Sequence, residues 1–365
     1  MDNLDLISRN LEEVLTPAEL KTLLDSKRSL GPSGAEGLVH YIGFEISGLV
    51  HLGTGLITAL KIKDLQQAGV QCQILLADWH TWINQKLDGK IETIRRVALG
   101  YFREAMEASL RVVGADPTKV KFILGSDLYH NADDYWRTVI EIAKGTTLAR
   151  VQRSIDILGR KESEGVDFAR LIYPIMQAAD IFQLNVNLAH AGMDQRKAHV
   201  IARDAVPSGR EKPIALHHHL LLGLQKPPVW PIEADKLREL KTDMKMSKSK
   251  PDSCIFVHDS TGEIERKIQK AFCPPNETIY NPILDWASHL LLPLHGSLTI
   301  MTKTGGQSFS ETTALTAAYQ SGDIHPVELK TAVTKALQTT LAPIHQHFSA
   351  GKPKDSLDEL VALKR

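Results

Sequence analysis

The first two hundred residues alternate short apolar runs with amphipathic helical stretches, and few architectures accept that alternation. Residues 38–44, 71–77, 120–124 and 186–191 read as strands, with 213–216 as a last short one. Between them, 52–68, 90–114, 133–158, 173–184 and 193–204 carry helical spacing, the first ending at Gly69 as a C-terminal cap. Strands that alternate with helices predict a parallel sheet wound by right-handed crossovers, a Rossmann-like α/β domain. Leu4, Ile7, Leu11 and Leu15 predict a leading helix over 4–15, and 17–26 a second one; the pattern breaks at Gly31-Pro-Ser-Gly34. After a proline-rich connection at 225–231 and a polar loop at 243–259, the chain reads as mainly helical: 263–272, 282–294, 310–321 and 326–348, with 300–310 a small strand or loop. The expected organisation is an α/β domain over 1–235, a linking loop over 236–260 and a helical domain over 261–365.

At 365 residues the chain is long enough for two cores. Its apolar runs fall short of the roughly 18 residues a membrane span needs, and the acidic start Met1-Asp-Asn-Leu-Asp-Leu is no secretory signal. Cys72, Cys254 and Cys273 match no metal spacing, which predicts a reduced, cytoplasmic setting. The 43 basic and 43 acidic residues cancel, which argues against non-specific nucleic-acid binding but permits a local basic surface.

Chemistry concentrates first in Leu171-Ile-Tyr-Pro-Ile-Met-Gln-Ala-Ala-Asp180. On a helix, Tyr173, Gln177 and Asp180 stand at i, i+4 and i+7 and share one face within roughly 40°. Pro174 is tolerated in a first turn, so the helix is expected to begin near Tyr173. Ile175, Ala178 and Ile181 point elsewhere, toward a core. A phenol, an amide and a carboxylate on one face can hold a small polar molecule at both ends; a hydrogen-bonded structural cluster is the alternative.

Two further stretches suit phosphate. Ser47-Gly-Leu-Val-His-Leu-Gly-Thr-Gly55 places His51 at a strand-to-helix turn, where free N–H groups favour an anion, although glycines needed only for packing read the same way. Lys245-Met-Ser-Lys-Ser249 offers the Lys245 and Lys248 ammoniums to a polyphosphate leaving group; a solvated loop is the plain reading. In Ala191-Gly-Met-Asp-Gln-Arg196, at a strand end, Asp194 can accept from ribose hydroxyls and Gln195 can reach back toward Tyr173. There is no P-loop and no HExxH. His217-His-His219 alternates faces in a strand, so at most two of the rings could converge, and no metal is assigned.

Taken in order, Tyr41-Ile-Gly-Phe-Glu45, His51-Leu-Gly53, Leu76-Ala-Asp78, Tyr173-Pro-Ile-Met-Gln177 (as the chain runs, with Ile175 and Met176 between) with Asp180, Gly192-Met-Asp-Gln-Arg196 and Lys245-Met-Ser-Lys-Ser249 resemble the class I aminoacyl-tRNA synthetases, specifically the tyrosyl-tRNA synthetases of archaea and eukaryotes. The likeness runs through nearly the whole chain. It implies activation of L-tyrosine by ATP with Mg2+, transfer to tRNA(Tyr), and a homodimer. In the implied pocket, Tyr41 and Asp180 meet the substrate phenol, while Tyr173, Gln177 and Gln195 hold the amino end. Gly43, Glu45, His51, Gly53, Gly192, Asp194, Lys245, Ser247 and Lys248 are the implied ATP residues, with His51, Lys245 and Lys248 stabilising phosphate charge. Rejection of phenylalanine without an editing domain is the known behaviour of this family, and no inserted editing domain is found here. The helical domain is implied to bind the anticodon. Arg153 and Arg196 match positions that read the acceptor end, and Glu328, within His325-Pro-Val-Glu-Leu329, matches an anticodon contact. The chain departs from the pattern at Thr54, where many relatives carry a second histidine: a hydroxyl donates a hydrogen bond but brings no charge. Glu328 stands where relatives often carry aspartate, and residues 275–315 fit least well.

A tryptophanyl synthetase shares this implied fold, but Tyr41 with Asp180 favours a phenol over an indole. A nucleotidyltransferase would use the His51 turn alone, and a non-catalytic RNA-binding relative would not need the intact lysine loop.

Overall fold

The computed structural model describes residues 2–28, 35, 37–155, 167–233 and 236–363. The break expected at 31–34 lies outside them, as do the last residues of the helix expected over 133–158, which is instead two helices, Asp133–Lys144 and Leu148–Ile155.

Six strands form the main sheet: β1 (Glu13–Leu15), β2 (Val39–Phe44), β3 (Gln71–Leu76), β4 (Val120–Leu124), β5 (Leu188–Gly192) and β6 (Ile214–His218), in the order β1-β6-β5-β2-β3-β4. All neighbours run parallel except β1, which lies antiparallel against β6. The chain winds outward from β2 through β3 to β4, then returns with β5 on the other side of β2. That reversal opens a crevice beyond the carboxyl ends of β2 and β5, where open α/β sheets bind ligands.

Side chains alternate across the strands, so β2, β3, β4 and β5 each feed two cores. Ile42, Ile74 and Leu188 pack into one, which continues through Trp286 and Leu337 to Leu360. Tyr41, Leu75, Ile123 and Ala189 face the other, built with Tyr129, Tyr135, Ile175, Ala178 and Ile181. The tyrosine, amide and carboxylate of the 173–180 helix face belong to this second side.

Several sequence expectations need correction. The leading helix covers only Asn3–Ser8. Asn10 takes a left-handed conformation (φ 57°), and the chain then enters β1, whose edge position on β6 satisfies its backbone. The helix expected to start near Tyr173 spans Phe168–Gln183, capped by the Asp167 side chain on the Arg170 amide at 3.2 Å. Pro174 therefore sits inside it. Pro174 leaves the Arg170 carbonyl without its helical partner, and the Asp167 cap and the packing against Asp133–Lys144 and Arg196–Asp204 hold the helix. The 90–114 stretch is helical from Ile91 to Val113 but carries a wide turn at Ala98–Phe102. Residues around 300–310 form a hairpin, β7 (Leu298–Thr302) with β8 (Gly305–Phe309). The short helices Asp78–Ile83 and Leu237–Asp243 and the final helix Gly351–Ala362 were not foreseen. None of the described helices is long and apolar enough to cross a membrane.

The helical carboxyl-terminal part docks through Trp286, fully buried, whose indole N–H donates to the Leu222 carbonyl at 2.8 Å. Beside it, the His219 imidazole bonds Asp285 at 2.7 Å and Glu12 at 3.1 Å, and its ring stacks on His289 with centroids 3.9 Å apart at 20°. In stacked rings the in-plane lone pairs run side by side rather than converge, so these three groups read as an ion-pair knot. Burial pulls the His219 pKa down, but the bonds to Asp285 and Glu12 outweigh it and carry it from 6.5 up to about 9. A histidine whose folded pKa is raised stabilises fully below its unfolded pKa and loses that contribution as pH rises through the folded one. We therefore expect the melting temperature to fall between pH 6.5 and 9, with His219→Gln flattening that slope.

Candidate active site

Asp180 is fully buried on the second face of the sheet. Its Oδ1 accepts from the Tyr129 and Tyr135 hydroxyls, each at 3.0 Å. Its Oδ2 has no hydrogen-bond partner among the described residues and lies 3.5 Å from His80 Nε2, itself unpartnered. A buried carboxylate with one oxygen saturated and the other open is an acceptor waiting for a donor. Burial drives this carboxyl up from 3.8 to about 7, against the pull of Tyr135 and Tyr129. Burial, then the nearby Asp180 charge, raises the Tyr41 phenol well above 10.0, so it stays protonated.

Tyr41 sits on β2 two residues before Gly43, and alternation puts both on one face. A Cβ on Gly43 would lie 2.6 Å from the Tyr41 hydroxyl oxygen. The glycine expected to admit a ligand thus first makes room for the Tyr41 ring. Tyr173 stands edge-on to His80 at 4.6 Å and 89°. Its pKa is raised well above 10.0 by burial and then by the adjacent Glu45 carboxylate. Glu45, expected among the ATP residues, also accepts from Asn84 and stands beside Tyr173. Gln177 donates to Gln195 at 3.3 Å, and Tyr173, Gln177, Gln195 and Asp194 line one cleft with Ser154, Pro174 and Ala198.

The phosphate-suited stretches are brought together by backbone pairing. The His51 segment bridges Phe256, with Leu52 N–H donating to the Ile255 carbonyl at 3.1 Å and Val257 N–H to Val50 at 3.0 Å. Gly55 is required for this packing, because a Cβ there would meet Val257 at 2.7 Å and Ser109 at 2.8 Å. At the other end of the loop, Met246 N–H donates to the Leu221 carbonyl at 2.8 Å. So held, Lys245 pairs with Asp194, and Lys248 donates to Ser47 Oγ at 3.2 Å. Ser247, expected among the ATP residues, accepts from Ser253 Oγ through its carbonyl at 3.3 Å. Burial, then Lys248 and Lys245, push the His51 pKa to about 3, which leaves a neutral ring. Its Nδ1 accepts from Thr54 N–H at 3.3 Å, and the Thr54 hydroxyl lies 3.4 Å from Nε2. A Cβ on Gly53 would press on the same ring at 3.2 Å.

The three expected RNA contacts lie apart from this crevice or at its rim. Arg153 is exposed, and its carbonyl accepts from Lys197 at 2.8 Å, next to Arg196. Arg196 Nε bonds both oxygens of Glu13, at 3.0 and 2.8 Å. Glu328 closes a capping box with His325 at the start of Pro326–His347 and accepts from Lys303 N–H at 3.1 Å.

A profile of the family described as tRNA synthetases class I (W and Y) matches residues 35–342. The tyrosine–tRNA ligase of Thermococcus sibiricus is 50% identical over 361 residues, covering 94% of each chain. The chain belongs to the tyrosine–tRNA ligase family. The family member from Thermococcus kodakarensis is 51% identical over 352 residues, 92% of each chain. A solved family structure, tyrosyl-tRNA synthetase of Pyrococcus horikoshii complexed with L-tyrosine, is 46% identical with a TM-score of 0.91, covering 99% of this chain and 100% of that one. The tryptophanyl-tRNA synthetase of Aeropyrum pernix, at 20% identity and TM-score 0.64, shares the fold.

Sequence reasoning missed Tyr129, Tyr135 and His80 in this family member's pocket. No spacing links them to Asp180; the one available signal was that residues just past β3 and β4 share the ligand side of the sheet.

Tyrosine binding should depend on pH through Asp180. Below about 7 the free carboxyl is protonated, and a phenol that donates to the carboxylate must first displace that proton. Affinity is therefore expected to fall by up to about tenfold per pH unit below 7, until the pKa of the bound state is reached. His80, pushed by burial to about 4, stays neutral over this range. Calorimetric titration from pH 5.5 to 8 checks this; a flat profile would contradict it.

Proposed function

We propose that the chain activates L-tyrosine with MgATP to tyrosyl-adenylate and pyrophosphate, then transfers the tyrosyl group to the terminal adenosine of tRNA(Tyr). The observation that carries the reading is the open Oδ2 of Asp180, on the same helix as Tyr173 and Gln177, which line a cleft with Gln195 and Asp194, the partner of Lys245. The substrate phenol donates to Asp180, with Tyr41 beside it; Gln177, Gln195, Tyr173 and Glu45 receive the amino end. The tyrosine carboxylate attacks the α-phosphorus, and the bond to pyrophosphate breaks. Neutral His51 donates to a phosphate oxygen while the two ammoniums neutralise the departing pyrophosphate. Asp194 accepts from ribose, with Lys245 moving from its carboxylate toward phosphate. A hydroxyl of the tRNA's last adenosine then attacks the activated carbonyl and AMP leaves. No protein nucleophile is needed; positioning and charge do the work.

Arg153 and Arg196 meet the acceptor end, and the helical part from residue 261 meets the anticodon, with Glu328 among its contacts. Cys72, Cys254 and Cys273 form no disulfide among the described residues, in keeping with work in the cytoplasm. A homodimer fits the exposed apolar side chains Trp136, Ile140, Leu148 and Phe168, which are 37%, 59%, 59% and 76% exposed. Sedimentation is expected to give twice the chain mass, and Ile140→Asp with Phe168→Asp to give monomers. A tRNA(Tyr) transcript should be charged with labelled tyrosine by the purified chain; folded protein that charges none would refute the proposed activity.

A further inference from the structure

Three histidines form a hydrogen-bonded series inside the sheet that the activation chemistry above leaves unused. His40 on β2, His190 on β5 and His218 on β6 are 0%, 0% and 7% exposed. His40 Nε2 lies 3.1 Å from His190 Nδ1, and His190 Nε2 lies 2.8 Å from His218 Nδ1. Burial depresses all three, against the pull of Asp194 at His218, so the rings are neutral. Each then carries one proton, and each bond needs one donor and one acceptor. His40 Nδ1 is buried without a partner among the described residues. A buried N–H without an acceptor is rarer than a bare lone pair, so that atom is the lone pair. The proton of His40 is therefore on Nε2 and is donated to His190. The same logic puts the His190 proton on Nε2, facing His218, and the His218 proton on its own Nε2. That last atom leaves the series at the nucleotide end of the sheet. A Cβ on Gly192, the last residue of β5, would lie 3.3 Å from His218 Nε2 and 2.8 Å from Asp194 Oδ1, so both atoms border one space.

We propose that the His40–His190–His218 series locks His218 as an Nε2–H donor to the oxygen of an ATP ribose hydroxyl whose O–H donates to Asp194. His218 is a binding residue, and His190 and His40 are positioning residues that fix its tautomer. The inference rests on the assignment of ATP to this crevice. A hydroxyl bracketed by a carboxylate acceptor and an imidazole donor has both its hydrogen-bonding functions satisfied, which an unlocked ring would not guarantee.

The direct test is the nitrogen-15 spectrum of histidine-labelled wild-type protein: all three rings are expected as Nε2–H tautomers, and an Nδ1–H tautomer at His218 would overturn the proposal without touching the assigned activity. Binding supplies the second arm. His218→Leu should weaken ATP by roughly tenfold and leave tyrosine affinity unchanged. His218→Gln, which keeps an N–H near the same point, should restore most of it, and His190→Leu should weaken ATP about threefold or more. Against 2′-deoxy-ATP or 3′-deoxy-ATP, one of the two should show no penalty for His218→Leu, because the partner oxygen is gone. Equal losses for ATP and both deoxy analogues, or no rescue by glutamine, would overturn the ribose contact. Wild-type protein that binds no ATP would overturn both this contact and the activity it rests on.

Discussion

Asp180→Asn is expected to lower kcat/KM for tyrosine activation by roughly 10²-fold while leaving the fold intact. The asparagine oxygen can still accept from the Tyr129 and Tyr135 hydroxyls that hold Asp180 at 3.0 Å, so the buried cluster keeps its bonds. What changes is the open side. A charged acceptor becomes an amide N–H₂, and the substrate phenol loses a charge-assisted bond of about 2–3 kcal/mol, close to 10² in rate. Preference for tyrosine over phenylalanine should shrink by a similar factor, since the phenol no longer satisfies an otherwise unpaired acceptor. Asp180→Ala is the poorer probe, because it strands two buried phenols and unfolding would confuse the result. Exchange kinetics with both amino acids, together with a thermal melt, decide the matter. An asparagine variant with unchanged tyrosine KM and unchanged phenylalanine rejection would mean that Asp180 is a structural carboxylate only.

The second large effect is expected at Lys248. Its ammonium lies 3.2 Å from Ser47 Oγ and 5.9 Å from the centre of the Phe102 ring, at the mouth of the His51 turn and away from the Asp180 pocket. Loss of one preorganised charge aimed at a leaving group costs on the order of 10²–10³ in the chemical step. Lys248→Ala should therefore slow adenylate formation by about that factor, with tyrosine affinity changed less than about twofold, because no part of the amino-acid pocket is touched. Stopped-flow adenylate formation beside equilibrium tyrosine binding separates the two. A large loss of tyrosine binding with activation intact would contradict the assignment. Thr54 gives this test added meaning: its uncharged hydroxyl, 3.4 Å from His51, leaves the lysines to carry the positive charge at this rim.

The parts of the site legible in the sequence were those written in local periodicity. Tyr173, Gln177 and Asp180 follow from helical spacing, and Asp194 with Gln195 from their place just past a strand. The parts that were hidden depend on how distant elements pack. Tyr129 and Tyr135 reach Asp180 from the Gly125–Tyr129 and Asp133–Lys144 helices, across sequence separations that carry no repeat. The histidine series is split over β2, β5 and β6, and only the strand order unites it. β1 was read as helix because three residues carry too little pattern to outweigh the leucine spacing around them, and its strand conformation comes from its partner β6. Pro174 misplaced a helix start, since the rule that proline belongs in a first turn yielded here to an Asp167 cap about two turns earlier and to packing on both flanks. Glu328 was read for its match to an anticodon contact; its carboxylate is also held by the capping box it closes at the helix start.

The central claim is that a crevice built on Asp180 selects the tyrosine phenol and presents its carboxylate to ATP. Amino-acid-dependent exchange of labelled pyrophosphate into ATP, run with each of the twenty amino acids and no tRNA, tests it most directly. The account predicts exchange with tyrosine and only background with phenylalanine and tryptophan. Exchange driven equally by tryptophan, or none with tyrosine from folded protein, would contradict it.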